Sequence, residues 1–166
     1  MYTHHLDGWY ITIKHNKMKL SKNLSLREAT KSNTADRNNI SNIPTEEHLE
    51  NLKIVAEEVF QPIREHFGIP IGISSGYRSK QLNAAVGGSL SSHHCKGMAL
   101  DLDADIFGGV TNSEIFHYIK DNLKFSQLIW EYGNDLEPNW VHVGYDRDNL
   151  SKQVLKAVKG KGYLIF

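Results

Sequence analysis

The chain has 166 residues, a length typical of one domain with a sizeable core. Lys plus Arg and Asp plus Glu each total 19, so the formal net charge is zero and no basic excess points to nucleic acid or to an anionic membrane. A single cysteine excludes an internal disulfide and a cysteine-rich structural zinc site. We expect one domain over residues 1–166 that binds neither nucleic acid nor membrane, and we expect a monomer.

The first forty residues contain two short secondary-structure signals and one polar stretch. Residues 9–13 are rich in β-formers and predict a short strand, added at the edge of a sheet. Ser25 and Glu28 have the spacing of a capping box, which predicts a short helix beginning at Leu26. Residues 31–41 are polar and predict a loop.

The strongest helix signal in the chain begins at Thr45. This residue is a good N-cap, and two acids in the first turn suit the positive end of the helix dipole. Apolar residues then recur at helical spacing, and Gly68 and Pro70 end the helix. Pro62 is expected to bend it near its end.

The rest of the chain predicts mainly strands and turns. Gly133 lies in the loop of one predicted hairpin and Gly160 in the loop of a second. The predicted strands are residues 69–74, 125–132, 140–145, 154–158 and 163–166, with a loop and strand over 94–104, and the predicted helices are residues 79–85 and 111–122. Helices followed by strands indicate an α+β fold with a mostly antiparallel sheet and helices packed on one of its faces.

The most informative stretch is residues 91–103, where imidazoles and carboxylates lie close together in sequence. From Ala99 onward small or acidic residues alternate with leucines, so Asp101 and Asp103 share one face of a strand and the leucines take the other. A carboxylate on a strand whose other face is buried needs a partner, because an unpaired buried charge is costly. A metal ion is one such partner, and imidazole with carboxylate is an ordinary zinc ligand set.

A further imidazole, His142, lies in a second strand-like run over residues 139–145. Together with Asp101 and an imidazole from the adjacent pair at residues 93–94, it makes three protein ligands. Catalytic zinc sites typically have three protein ligands and keep a fourth position for water. The pattern therefore favours a catalytic site over a structural one.

Three motifs, in order along the chain, carry a resemblance to a known family. They are Ser74-Ser75-Gly76-Tyr77-Arg78-Ser79, Ser92-x-His94-x-x-Gly97-x-Ala99-x-Asp101 and Trp140-x-His142. They resemble the substrate-side segment, the main zinc signature and the last zinc-ligand motif of peptidase family M15. This family contains zinc D-Ala-D-Ala carboxypeptidases and L-Ala-D-Glu endopeptidases. The resemblance covers residues 24–166, leaves residues 1–23 as an N-terminal extension, and is closest to the small single-domain members common in bacteriophages.

The resemblance implies one Zn²⁺ on the sheet, in a fold like that of M15 peptidases and hedgehog proteins. Its implied ligands are His94, Asp101 and His142. A ligating histidine normally donates its second ring N–H to an acceptor, and Asp103 is placed to serve as that acceptor. His93, next to a ligand, is expected to be exposed and not to bind the metal.

The resemblance also implies which residues bind the substrate. Relatives use the residue corresponding to Arg78 to bind substrate or to stabilise developing negative charge, and the planar guanidinium suits a carboxylate. The peptidoglycan stem peptide offers carboxylates on D-Glu and on the terminal D-Ala. Tyr77 is expected to be a core or pocket aromatic, and Ser92 to hydrogen-bond near the metal or to shape the turn.

The general base is the point at which this sequence departs from the family pattern. Many relatives carry an acid three residues before the last histidine ligand, and this chain has Asn139 there. Glu131, on the preceding strand, is predicted to lie opposite His142 or one step from it once the hairpin folds. Glu137, in the hairpin loop, is the alternative and is expected to be more exposed. We predict Glu131 as the base.

The resemblance therefore implies a zinc metallopeptidase that hydrolyses peptidoglycan stem peptides, of L-Ala-D-Glu endopeptidase or D-Ala-D-Ala carboxypeptidase type. The likeness to phage members favours an endolysin or a lytic accessory protein. We see no secretory signal, so the protein is expected to be made in the cytoplasm and to reach the wall by phage-mediated release or on the virion. The alternative, which Asn139 keeps open, is a non-catalytic zinc-containing domain of this fold that binds the wall or a partner.

Overall fold

Most of the helices come before the strands of the main sheet in the chain, and the last two lie between those strands. A computed structural model describes residues 18–166, and the strand predicted over residues 9–13 lies outside them. The helices are α1 Leu26–Thr30, α2 Asn33–Arg37, α3 Glu46–Val55, α4 Gln61–Phe67, α5 Lys80–Ala85 and α6 Asn112–Asn122. The strands are β1 Lys19–Ser21, β2 Leu24–Ser25, β3 Gly72–Ser75, β4 Ala99–Asp103, β5 Gln127–Glu131, β6 Trp140–Gly144, β7 Gln153–Val158 and β8 Gly162–Ile165. No helix of this part of the chain could span a bilayer.

The first helices begin where side-chain caps satisfy their amide groups. Ser25 and Glu28 form the predicted capping box at the start of α1. The loop predicted over residues 31–41 is wrong, because α2 occupies its centre, with Ser32 accepting a hydrogen bond from the amide of Ala35. Ala35 is the one buried side chain of this short helix, so the sequence there shows no apolar periodicity.

The predicted long helix is present and contains one wide turn just before Pro62. Thr45 caps α3 as expected, and α3 runs without a break into a single wide π turn, Ala56–Phe60, and then into α4. In that turn the backbone N–H of Gln61 donates a hydrogen bond to the carbonyl of Ala56, five residues earlier. The wide turn lies just before Pro62, whose ring could not fit a regular α-helical turn without a clash. Gly68 then ends α4 in a left-handed conformation.

The main sheet has six strands in the order β3-β4-β6-β5-β7-β8. All neighbours are antiparallel except β5 and β7, which are parallel. One face packs into the hydrophobic core with residues of α1, α3, α4 and α6, and its sheet residues are Leu100, Leu102, Leu128, Trp130, Val141 and Val143. The predicted α+β fold, with a mostly antiparallel sheet and helices on one face, is confirmed.

The alternate positions of the same strands point away from this core and form two rows across the sheet. Paired residues lie side by side and share a face. The first row, from β4 to β8, is Asp101, His142, Ile129, Leu155 and Ile165. The second row, from β6 to β8, is Trp140, Glu131, Ala157 and Tyr163. The predicted proximity of Glu131 to His142 follows from this register, because the two residues lie in neighbouring rows on adjacent strands.

Gly97 should be far less tolerant of substitution than Gly87, although both are left-handed with φ of 71°. A Cβ on Gly97 would lie 2.3 Å from the His48 carbonyl oxygen, whereas a Cβ on Gly87 would have no neighbour within 4 Å. We expect Gly87→Ala to cost about 1 kcal/mol of backbone strain and Gly97→Ala about 3 kcal/mol or more. Urea unfolding of the two variants measures the difference, and equal losses would contradict the close approach.

Candidate metal centre

A short turn places His94. Residues 93–96 form a single 3₁₀ turn, at the start of which the Ser92 hydroxyl accepts a hydrogen bond from the His94 amide. The left-handed Gly97 ends the turn and leads the chain into β4. The glycine of the zinc signature is required here because the chain passes directly against the His48 carbonyl on α3. Ser92 therefore shapes the turn, one of the two roles expected for it.

The other two side chains come from adjacent strands. Asp101 and His142 are directly paired across β4 and β6, and the turn brings His94 onto them. The Asp101 Oδ1 atom lies 2.9 Å from His142 Nδ1 and 3.1 Å from His94 Nε2, and the two nitrogens are 3.1 Å apart. All three side chains are buried. Within residues 18–166 this is the one group of three such side chains whose ligand atoms converge closely enough to hold a metal ion.

The charge states of this triad suit a metal. Burial lowers the pKa of His94 below its ordinary value and outweighs the opposing effect of Asp101, so the imidazole is neutral at neutral pH. Burial alone would raise the pKa of Asp101, but the two adjacent imidazoles lower it well below its usual range. A neutral imidazole and an ionised carboxylate are protonation states that divalent metals bind, and the donor set of two imidazoles and one carboxylate fits zinc.

Neighbouring groups orient the triad. His94 Nδ1 lies 2.6 Å from the Gly76 carbonyl, which can only accept, so Nδ1 carries the proton and Nε2 presents its lone pair to the site. Arg78 donates to the second carboxylate oxygen of Asp101 at 3.1 Å. The acceptor role predicted for Asp103 is filled by Gly76 instead. Asp103 pairs with Gly72 at the end of β4, and its carboxylate accepts the Asp105 amide at the next turn.

Two cavities meet at Arg78. The first, of about 710 Å³, contains all three triad residues together with Glu131 and residues from β7 and β8. The second, of about 550 Å³, lies between Arg78 and the start of α2 and includes Lys31 and Arg37 in its wall. Tyr77 is a buried core aromatic that also borders the second cavity, and its hydroxyl lies 3.4 Å from His48 Nδ1. We refer to the larger cavity as the cleft and the smaller as the basic pocket.

Glu131 and Glu137, the two candidate bases, have different surroundings. Glu131 ends β5 on the triad side of the sheet, is 7% exposed and lines the cleft. Burial raises the pKa of its carboxyl to about 7, with His142 opposing and Asp101 adding to the shift. Glu137 is half-buried, and its carboxylate accepts hydrogen bonds from the backbone amides of Asn112 and Ser113 at 2.6 and 3.2 Å. It therefore caps the start of α6. Only Glu131 faces the triad.

His93 is the cleft residue that the sequence interpretation placed wrongly. It was expected to be exposed, but it is half-buried, lines the cleft and covers Gly144, whose Cβ, if present, would lie 2.8 Å from His93 Nδ1. Burial and the neighbouring His142 lower the pKa of His93. A signal for this was present, because Gly144 shares the strand face of His142 and leaves a space there that another side chain must fill.

Comparison with known proteins supports the motif interpretation. The family model described as Peptidase M15 matches residues 20–144, a segment that contains all three triad residues and Glu131. No match was found among curated proteins.

His142→Ala should weaken zinc binding much more than Asp103→Asn. The first change removes one of three ligand atoms, whereas the second alters a carboxylate that contacts none of them. We expect His142→Ala to lower zinc affinity by more than about 100-fold, beyond the 10–100-fold typical of residues that only orient a ligand, and Asp103→Asn to leave it unchanged. Competition titration against a chromogenic chelator measures both, and equal affinities in the two variants would place the metal elsewhere.

Glu131 should also make the metal-free protein less stable as the pH rises. Its folded pKa of about 7 exceeds the ordinary value of 4.5, so its stabilising contribution is complete below pH 4.5 and is lost as the pH rises through 7. Between pH 4.5 and 8, the free energy of unfolding of the wild type should fall relative to Glu131→Gln by up to about 3 kcal/mol. Urea unfolding with chelator present measures it, and parallel pH profiles for the two proteins would contradict the buried carboxyl.

Proposed function

Because the chain belongs to the peptidase M15 family, we propose that it is a zinc-dependent metallopeptidase that hydrolyses the stem peptides of peptidoglycan. The observation that carries this proposal is the buried triad of His94, Asp101 and His142 beside the carboxyl of Glu131 in one cleft. Two imidazoles and one carboxylate are a common ligand set of hydrolytic zinc, which keeps a coordination position open. Bound zinc would acidify water and polarise the scissile carbonyl.

Glu131 supplies the proton transfers that peptide hydrolysis requires. It takes a proton from the attacking water as the C–O bond forms, and it returns the proton to the amine nitrogen as the C–N bond breaks. Its second-row position, adjacent to the row of Asp101 and His142, sets the carboxyl beside the reaction centre. A cation bound by the triad would lower the raised pKa of Glu131 and so favour the ionised carboxylate that a base requires.

The charge of the basic pocket favours an anionic substrate. Three cationic side chains line this pocket: Lys31, Arg37 and Arg78. Its one acidic residue is Asp101, whose carboxylate already accepts a hydrogen bond from Arg78. A peptide that passes from the cleft over Arg78 would present its carboxylates to these cations. Stem peptides carry such carboxylates on D-Glu and at the terminal D-Ala, and either an L-Ala-D-Glu or a D-Ala-D-Ala bond would suit the same centre.

The role of endolysin or lytic accessory protein is part of the proposal. The three motifs most resemble those of small phage members, and such an enzyme reaches the wall by phage-mediated release or on the virion. A non-catalytic zinc domain that binds the wall remains the second candidate, because Asn139 replaces the acid that many relatives have before the last ligand. Glu131 supports the catalytic candidate, since it supplies a buried carboxyl from the neighbouring strand.

Glu131→Gln should greatly slow cleavage, whereas Glu137→Gln should preserve it. The first change removes the proton acceptor in the cleft, whereas the second keeps an acceptor oxygen for the amides at the start of α6. We expect kcat to fall by about 10²–10⁴-fold in Glu131→Gln and by less than about twofold in Glu137→Gln. Digestion of purified muropeptides, followed by mass spectrometry, measures the rates and identifies the bond that is cut. Chelator should stop the wild type.

Two results would count against this scheme. A zinc-loaded wild type that binds muropeptides without cutting them would support the non-catalytic domain. Cleavage that survives in Glu131→Gln but is lost in Glu137→Gln would move the base to the hairpin loop.

A further inference from the structure

One wall of the cleft is built by a hairpin outside the family-matched segment. The match ends at residue 144, and β7 and β8 follow it. β7 pairs in parallel with β5, the strand that carries Glu131, and β8 forms the edge of the sheet beyond it. Leu155 from β7 and Tyr163 from β8 line the cleft together with the triad. Residues that the family match does not cover therefore border the reaction centre.

The register directs Tyr163 toward Glu131. In the second row Glu131 pairs with Ala157, and Ala157 pairs with Tyr163, so all three side chains project from the same face. Two strand spacings place the Cα atoms of Tyr163 and Glu131 about 10 Å apart. Ala157, between them, contributes only a methyl group, which leaves room for the phenol to extend over it toward the carboxyl.

The surroundings of the phenol support this placement. Tyr163 and Glu131 line one cleft, and burial together with the negative charges of Glu131 and Asp101 raises the pKa of Tyr163. The hydroxyl therefore stays protonated at neutral pH and can donate one hydrogen bond. Tyr163 is nevertheless 60% exposed, so a substrate in the cleft can reach it.

We propose that Tyr163 is a further catalytic residue, whose hydroxyl donates a hydrogen bond to the carbonyl oxygen of the scissile peptide bond. That oxygen gains negative charge as water adds, and a donor at this position stabilises the charge more in the transition state than in the bound substrate. The proton stays on Tyr163 throughout. Arg78 borders the triad from the β4 side and Tyr163 from the β8 side, so the substrate lies between them. This inference rests on the proposed peptidase function.

Tyr163→Phe tests the hydroxyl alone. The variant keeps the ring at an exposed position, so the melting temperature and the zinc content of the full chain should match the wild type. With muropeptide as substrate we expect kcat to fall about 100-fold with KM changed by less than about twofold. Affinity for a phosphinate analogue of the bond that the wild type cuts should fall in the same proportion, while affinity for the cleaved peptide should not change. Tyr118→Phe is the matched control, because Tyr118 lies on α6 and stacks on His66.

The outcomes separate this inference from the function on which it rests. Wild-type kcat and wild-type phosphinate affinity in Tyr163→Phe would overturn the role of the hydroxyl and leave the peptidase intact. A loss of activity that follows a fall in melting temperature or in zinc content would also overturn it, since Tyr163 would then be structural. A wild type that cuts no muropeptide would overturn the proposed function and this inference together.

Discussion

The structure depends on one buried carboxylate held between two imidazoles. Asp101 lies on β4, the second strand of the sheet, with His142 directly opposite it on β6 and His94 on the turn that precedes β4. Burying an ionised carboxylate is costly unless its oxygens are satisfied. Here one carboxylate oxygen contacts both imidazoles, and the other accepts a hydrogen bond from Arg78. Three sequence motifs therefore meet at a single side chain. The ring nitrogens His94 Nε2 and His142 Nδ1 also lie within 3.1 Å of each other beside that oxygen. A single cation at this point would contact all three ligand atoms.

The strand pattern predicts where Asp101 and His142 lie, whereas the choice of His94 over His93 follows from the resemblance to the M15 signature. Asp101 lies on a strand with alternating leucines, and the strand of His142 has the same alternation, so both had to lie on the face away from the core. For the candidate base, the sequence narrows the choice to two residues, Glu131 and Glu137. Glu131 was favoured by its strand and Glu137 by its position near His142, and the capping of α6 by Glu137 is a long-range contact that no local pattern shows.

The remaining errors have related physical causes. Helix α2 was missed because a single turn buries only Ala35, which leaves no periodicity to detect. Asp103 was paired with the metal ligands because it shares their strand face, but β4 ends there and its carboxylate turns to a nearby amide. His93 was placed in solvent, although Gly144 leaves a space that its ring fills. The errors at Asp103 and His93 thus concern a chain reversal at the end of a strand and a tertiary contact between segments that are distant in sequence.

The C-terminal hairpin explains why Glu131 differs from an ordinary surface acid. In a sheet that stopped at β5, this strand would be an edge, and the Glu131 side chain would be open to water on one side. The parallel addition of β7, with Ala157 beside Glu131 and the Tyr132 amide bonded to the Ala157 carbonyl, makes β5 an interior strand. Burial is the main cause of the raised pKa of Glu131. The hairpin therefore contributes to that raised pKa, and it also places Tyr163 in the wall of the cleft. The triad is thus held by β4, β6 and the turn that precedes β4, whereas β7 and β8, which the family match does not cover, border the cleft from its other side.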